Sequence, residues 1–142
     1  MKYKGSEFDM NIMFFLTPKS DVAYIYDDYS LRQTLEKMEF HRYAAIPIID
    51  RRGHYVGTIT EGDLLWNIKN EESLSLKIAE EIPIKKIKRR MDNVPVRVDS
   101  NMEDLITKAT NQNFVPVIDD KNVFIGIITR KDIIQYFCKD KK

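Results

Sequence analysis

The chain has 142 residues, 43% of them hydrophobic and 32% charged, with 23 basic against 22 acidic side chains for a net charge of +1. That length suits one ordinary domain with a packed core, and the near-neutral balance argues against a dedicated duplex-DNA binder, whose affinity needs a large basic surplus. The single cysteine, Cys138, excludes an intrachain disulfide framework and a Cys-rich zinc site, and His41 and His54 form no metal-spacing motif.

In chain order, the N-terminal MKYKGSEFDM carries acids and lacks the apolar core of a secretion signal. The run Ile12-Met13-Phe14-Phe15-Leu16 is far shorter than the ~20 residues a membrane helix needs, so a soluble, cytoplasmic protein is expected. Residues 7–15 suggest a short helix carrying Phe8, Ile12 and Phe15. Val22–Tyr26 is a short β-rich stretch. Ser30 reads as an N-cap with Gln33 as capping-box partner, followed by Leu31, Leu35 and Met38 at helical spacing. Two strands over 45–50 and 55–60 flank a hairpin-like turn, Asp50-Arg51-Arg52-Gly53-His54. A helix over 61–69 carries Trp66 beside Leu64, Leu65 and Ile68, for a core or a dimer surface. Residues 71–90 hold a short helix (Ser73 cap; Leu74, Leu76, Ile78, Ala79) and the linker IPIKKIKRR. A second set follows: β-rich 94–98, a helix with Met102, Leu105, Ile106 and Ala109, strands over 114–119 and 123–129, and a helix over 130–138.

The two sets are an internal duplication. Pro47 and Pro116, Gly57 and Gly126, Thr60 and Thr129, and Asp63 and Asp132 are each separated by 69 positions (116 − 47, 126 − 57, 129 − 60, 132 − 63). The segment IPIIDRRGHYVGTITEGDLL lies over VPVIDDKNVFIGIITRKDII without a gap. Upstream, Asp28 matches Asp99 and Leu31 matches Met102 at an offset of 71, so HRYAAIP has shortened to QNFVP by two residues. Each repeat reads β-α-β-β-α, giving a mixed α/β (α+β) fold. The expected organisation is an N-terminal segment 1–16, repeat one over 17–70, helix and linker over 71–90, repeat two over 91–138 and a tail 139–142. Each unit alone buries little surface, so the two are expected to pack sheet to sheet as one module.

The repeated heptads GTITEGD and GIITRKD admit two readings. Thr-x-x-Asp at a helix start is a capping box, in which the Thr oxygen takes the N3 amide and the Asp takes the N-cap amide. The glycine then serves a bend or close packing. The other reading is chemical. A helix start offers free amides and partial positive charge to a phosphate, a Thr hydroxyl adds a donor, and a carboxylate can accept both ribose hydroxyls. Strand segments Tyr43–Pro47 and Asn113–Pro116 could line a base slot, with Ala45 leaving room and Phe114 stacking or blocking. Thr60 and Asp63 enclose Glu61-Gly62, whereas Thr129 and Asp132 enclose Arg130 and Lys131, which favours the second helix start for a polyphosphate. The basic run Lys85–Arg90 reads as a solvated linker, as a phosphate lining through Arg89 or Arg90, or as a nucleic-acid contact; no aromatic residue interleaves with it. There is no catalytic motif: no H-E-x-x-H, no P-loop, no G-x-G-x-x-G and no nucleophile with a paired base.

A duplicated β-α-β-β-α unit with h-P-h-h-D and then G-x-h-T-x-x-D resembles the tandem CBS-domain proteins (a CBS pair, or Bateman module) over residues 17–138, and without an attached enzyme it looks like a stand-alone pair. The resemblance implies a regulatory module rather than an enzyme. It implies no required cofactor or metal, and adenosine-containing ligands (AMP, ADP or ATP first; S-adenosylmethionine, NAD or cyclic di-AMP as alternatives) in clefts between the repeats. It places the ribose on Asp63 and Asp132, a nearby hydroxyl on Thr60 and Thr129, and the base along Ala45, Ile46 and Pro47 and along Phe114, Val115 and Pro116. It adds lead-in contacts from Thr17, Lys19, Ala23 and Tyr24, and from Arg89 and Arg90. It also implies a flat homodimer through the helices and an unknown protein effector, with no membrane role. A constitutive interaction module with no nucleotide is the rival reading.

Overall fold

A computed structural model of the chain describes residues 11–69 and 76–139. The expected positions Phe8, Ser73 and Leu74 lie outside these residues.

The sequence repeat becomes two sheets. In the first repeat β2 (Ile25–Tyr26) pairs in parallel with β3 (Ala45–Ile49), which pairs antiparallel with β4 (Tyr55–Thr60). In the second, β5 (Val96–Arg97) pairs in parallel with β6 (Phe114–Ile118), which pairs antiparallel with β7 (Phe124–Thr129). Both hairpins shift register at equivalent places, Ile48/Ile49 and Val117/Ile118. The expected strands at 22–26 and 94–98 shrink to two residues each, because only those two make ladder contacts with the following strand.

Helix α1 (Leu31–His41) starts at the capping box read from sequence. The Gln33 amide donates to Ser30 Oγ at 3.1 Å, and the Ser30 amide donates to Gln33 Oε1 at 2.8 Å. It ends at Arg42 in the left-handed region, φ 59°. The remaining helices are α2 (Glu61–Lys69), α3 (Leu76–Glu81), α4 (Met102–Asn111) and α5 (Arg130–Lys139). From α1 to α4 the start shifts by 71 (102 − 31), and from β3 to β6 by 69 (114 − 45), so the two-residue loss falls between helix and strand as expected. Of the helix expected over 7–15, the described part is a 3-10 turn, Ile12–Phe15, capped by the Asn11 side chain.

Two compact units result. One is Ala23–Asp92. The other joins Met1–Val22 to Asn93–Lys142, with residues 11–22 and 93–139 described. The spatial grouping therefore trades the lead-in segments that the linear division assigns to 17–70 and 71–90. β1 (Thr17–Pro18) pairs antiparallel with β7, completing the sheet order β1-β7-β6-β5. The linker joins the first repeat instead. The Ile84 amide donates to the Tyr29 carbonyl at 2.8 Å, the Leu31 amide donates to the Ile82 carbonyl at 2.7 Å, and Ile84 and Ile87 are buried. Otherwise unpaired backbone groups explain both exchanges.

Each unit has its own apolar core. Ile25, Leu31, Met38, Ile46, Ile48, Ile59, Leu64, Ile84 and Ile87 form one. Ile12, Phe15, Val96, Met102, Leu105, Val115, Val117, Ile128 and Ile133 form the other. The stripes Leu31, Leu35, Met38 and Met102, Leu105, Ile106, Ala109 read from the sequence are the helix faces that close these cores.

Candidate functional site: two helix-start corners

Each β-hairpin delivers its last strand into a helix through the repeated heptad. The backbone does this alike in both. The Glu61 amide donates to the Ala44 carbonyl at 2.9 Å, and the Arg130 amide donates to the Asn113 carbonyl at 3.1 Å. Strand pairing sets Ala45 opposite Thr60 and Phe114 opposite Thr129. Ile46 and Val115 are fully buried in their cores, so only their backbone groups could meet a ligand; Pro47 and Pro116 are buried too.

The first corner is a complete capping box. The Asp63 amide donates to Thr60 Oγ1 and the Thr60 amide donates to Asp63 Oδ2, both at 3.1 Å. The other carboxylate oxygen, Oδ1, accepts the Arg90 amide at 3.0 Å. Asp63 is 6% exposed. Both of its oxygens are thus committed to main-chain donors, which is how a buried carboxylate is tolerated.

The linker fills the space beside this corner. Arg89 grips Asp92 with two bonds, Nε to Oδ1 at 2.7 Å and Nη2 to Oδ2 at 3.2 Å, and the Thr58 amide donates to Asp92 Oδ1 at 2.9 Å. The bond to Asp92 pushes the Arg89 pKa further up. Gly57 makes room: a Cβ there would lie 2.5 Å from Asp92 Oδ1 and 2.8 Å from Arg89 Nη2. The Tyr55 hydroxyl lies 2.6 Å from Thr58 Oγ1, and burial raises its pKa.

The second corner is only half a capping box. The Asp132 amide donates to Thr129 Oγ1 at 3.0 Å. Among the described residues no hydrogen bond or ion pair engages the Asp132 carboxylate. Thr129 and Asp132 are both half-buried. The recess at Gly126 is filled by main chain, where a Cβ would strike the Thr17 carbonyl oxygen. β1 therefore brings Thr17 and the following turn, Lys19–Asp21, to the strand that leads into this corner. Lys19 is half-buried there.

The lead-in residues are thus split between the corners. Thr17 and Lys19 lie with the second, Arg89 and Arg90 with the first. Ala23 is buried, and Tyr24 meets the Tyr26 ring edge-on at 5.7 Å, with Lys37 Nζ 5.3 Å from its centre. Burial raises the Tyr24 pKa, with a hydrogen bond to Tyr26 adding to it. The corner hydrogen bonds given above are made by other residues than Ala23 and Tyr24. Arg130 departs from the expected phosphate lining. Its Nε donates to the Ala109 carbonyl at 2.8 Å and its Nη2 to the Thr110 carbonyl at 3.5 Å, capping the C-terminal turn of α4. A guanidinium satisfies orphan carbonyls there and follows the helix dipole. The charge argument for the second corner keeps only the exposed Lys131.

Asp50 and Asp119, which the sequence marks as the last position of each h-P-h-h-D, turn out to have a structural task. Asp50 Oδ1 accepts the Arg52 and His54 amides at 2.9 and 2.8 Å, and Asp119 Oδ1 accepts the Lys121 and Val123 amides at 2.8 and 2.9 Å. The Asp of each h-P-h-h-D therefore ties its hairpin turn. An Asx-turn reading of Asp followed by two turn residues would have found it.

The CBS domain family model matches residues 15–70 and 76–139. The chain belongs to the CBS domain family. Uncharacterized protein MJ1426 of Methanocaldococcus jannaschii is 24% identical over 139 residues, covering 78% of this chain and 83% of that protein. Some other curated relatives are matched over about a third of their length or less, so this chain spans a minor part of them. Among solved structures, CbpB in complex with c-di-AMP is similar with a TM-score of 0.86 at 24% identity, over 95% of this chain and 89% of that one. CBSX2 in complex with AMP has a TM-score of 0.72 at 23% identity, over 93% and 98%. These likenesses extend the CBS fold to both units. No helix among the described residues is long and apolar enough to cross a membrane, and no acid, His and Cys group among them is arranged for a metal.

Proposed function

We propose that this CBS-domain chain is a regulatory module that binds an adenine nucleotide at the second corner. The observation that carries the reading is the Asp132 carboxylate. It stands at a helix start beside a Thr hydroxyl with no partner among the described residues, whereas the equivalent Asp63 is fully occupied. In this reading Asp132 accepts the ribose hydroxyls, Thr129 and the α5 amides face the phosphate, and the backbone of Phe114–Pro116 flanks the base. Thr17, Lys19 and Lys131 complete the surroundings. The complexes of CbpB with c-di-AMP and of CBSX2 with AMP support the ligand class. AMP, ADP and ATP come first, with cyclic di-AMP, S-adenosylmethionine and NAD as alternatives.

Binding regulates only through unequal affinity for two states. A second copy of the chain is the natural carrier of those states, since Phe40, Leu65 and Trp66 are 82%, 62% and 61% exposed on α1 and α2. Thermal melts with each nucleotide test the reading, because a ligand specific to the folded chain must raise its stability. The expected result is a rise with at least one adenine nucleotide that Asp132→Ala removes. Unchanged melting with every one of them would favour a constitutive interaction module. Sedimentation of the chain and of Trp66→Arg tests the dimer.

A further inference from the structure

We propose that Asp92 is a built-in occupant of the first corner, an anion the chain supplies to itself that keeps this corner shut to nucleotide. The proposal rests on the reading of the second corner as a nucleotide site.

Three donors converge on Asp92: the Thr58 amide, Arg89 Nε and Arg89 Nη2. A backbone amide beside a forked guanidinium is also a donor set for a phosphate oxygen. The carboxylate occupies the recess that Gly57 leaves open. Thr58 is 1% exposed, so its amide needs an acceptor whenever Asp92 leaves.

The equivalent recess at Gly126 is filled differently. There β1 lies in the space, with Pro18 opposite Gly126 in the strand register. Main chain held in a ladder cannot leave by a side-chain rotation. Asp92 can. Its ion pair with Arg89 is partly solvent-exposed on both sides, so water can take over either partner as the side chain turns. Arg90, whose amide closes Asp63, lies two residues before Asp92 on the same segment. Rotation of the Asp92 side chain frees the Thr58 amide and the Arg89 guanidinium in place, and with that anchor gone the Arg90 amide's hold on Asp63 is the one remaining tie of the segment to the corner bonds described above. The first corner becomes a latched copy of the second, and its apparent affinity is lowered by the small fraction of time the latch stands open.

Calorimetric titration with AMP tests this. Wild type is expected to bind one AMP per chain, Asp92→Ala two, and Asp92→Ala combined with Arg89→Gln one again. Asp92→Ala combined with Asp132→Ala isolates the first corner and is expected to bind one. If Asp92→Ala fails to fold, Asp92→Asn keeps an acceptor for Thr58 but loosens Arg89, and it should show the same gain, with circular dichroism confirming the fold. Equal stoichiometry for wild type and the folded Asp92 variant, including no binding by either, overturns the latch. So does a wild type that already binds two. A wild type that binds none while the Asp92 variant binds one sinks the second-corner reading and leaves the latch standing.

Discussion

GTITEGD and GIITRKD build the same corner with the same glycine, threonine and aspartate, yet the two corners are chemically unlike. In the first, Asp63 is buried and both its oxygens hold main-chain amides, and a linker side chain fills the glycine recess. In the second, the carboxylate is half-buried and uncommitted among the described residues, and a strand fills the recess. A repeated motif therefore fixes local backbone geometry without fixing the job of its side chains. The job is set by whichever segment arrives from elsewhere in the chain. For the first corner that segment is Lys88–Asp92; for the second it is Leu16–Lys19.

The glycines should give the largest separation. Gly126→Ala drives a methyl into the backbone of Thr17 and Pro18. Because main chain cannot turn aside, a loss of about 3 kcal/mol is expected by urea unfolding. Gly57→Ala first meets the Asp92 and Arg89 side chains, which can turn aside, so about 1 kcal/mol is expected. Equal losses would mean that the two recesses are filled with equal rigidity. The aspartates come next. Asp63→Ala orphans the Thr60 and Arg90 amides and should destabilise by about 2 kcal/mol. Asp132→Ala should cost less than about 1 kcal/mol, the scale of a charge at a helix start, while weakening AMP by roughly tenfold or more. Urea midpoints and AMP titrations on the same two variants decide it. If Asp132→Ala unfolds the chain as readily as Asp63→Ala and leaves AMP affinity unchanged, the comparison collapses.

Much of this was legible in the sequence because it is local. The capping box at Ser30 and Gln33, the β-α-β-β-α order and the two-residue shortening before β6 all follow from near-neighbour patterns. The corner residues were legible as well, since a 69-residue echo singles them out. What the sequence hid is tertiary. Nothing in Thr17-Pro18 says that it pairs with β7 rather than with its own repeat, and nothing in Lys-Arg-Arg-Met-Asp says that Arg89 and Asp92 pair across Gly57. Arg130 misled for the same reason. Adjacency to a helix start suggested a phosphate, but the orphan carbonyls of Ala109 and Thr110 lie within its reach.

The smallest expected effect concerns the hairpin turns. Asp50 and Asp119 tie equivalent turns with the same pair of amide bonds, but the residue four positions on is His54 in one and Val123 in the other. The His54 amide, and then its ring with Nδ1 3.2 Å from Oδ2, hold the Asp50 carboxyl below its ordinary value. A carboxyl with a depressed folded pKa stabilises fully above the unfolded value, about 4, and loses that contribution as pH falls through the folded value. Asp50→Asn keeps an acceptor for the two amides but does not titrate. Its melting temperature should lie slightly below wild type at neutral pH, and the gap should close as pH falls below about 4. His54→Val, which installs the second repeat's residue, should remove only the ring's share, so its gap should be smaller and should close over the same range. A gap that widens in acid would mean that the Asp50 carboxylate is not a stabilising partner in this turn, and the two hairpins would then be equivalent after all.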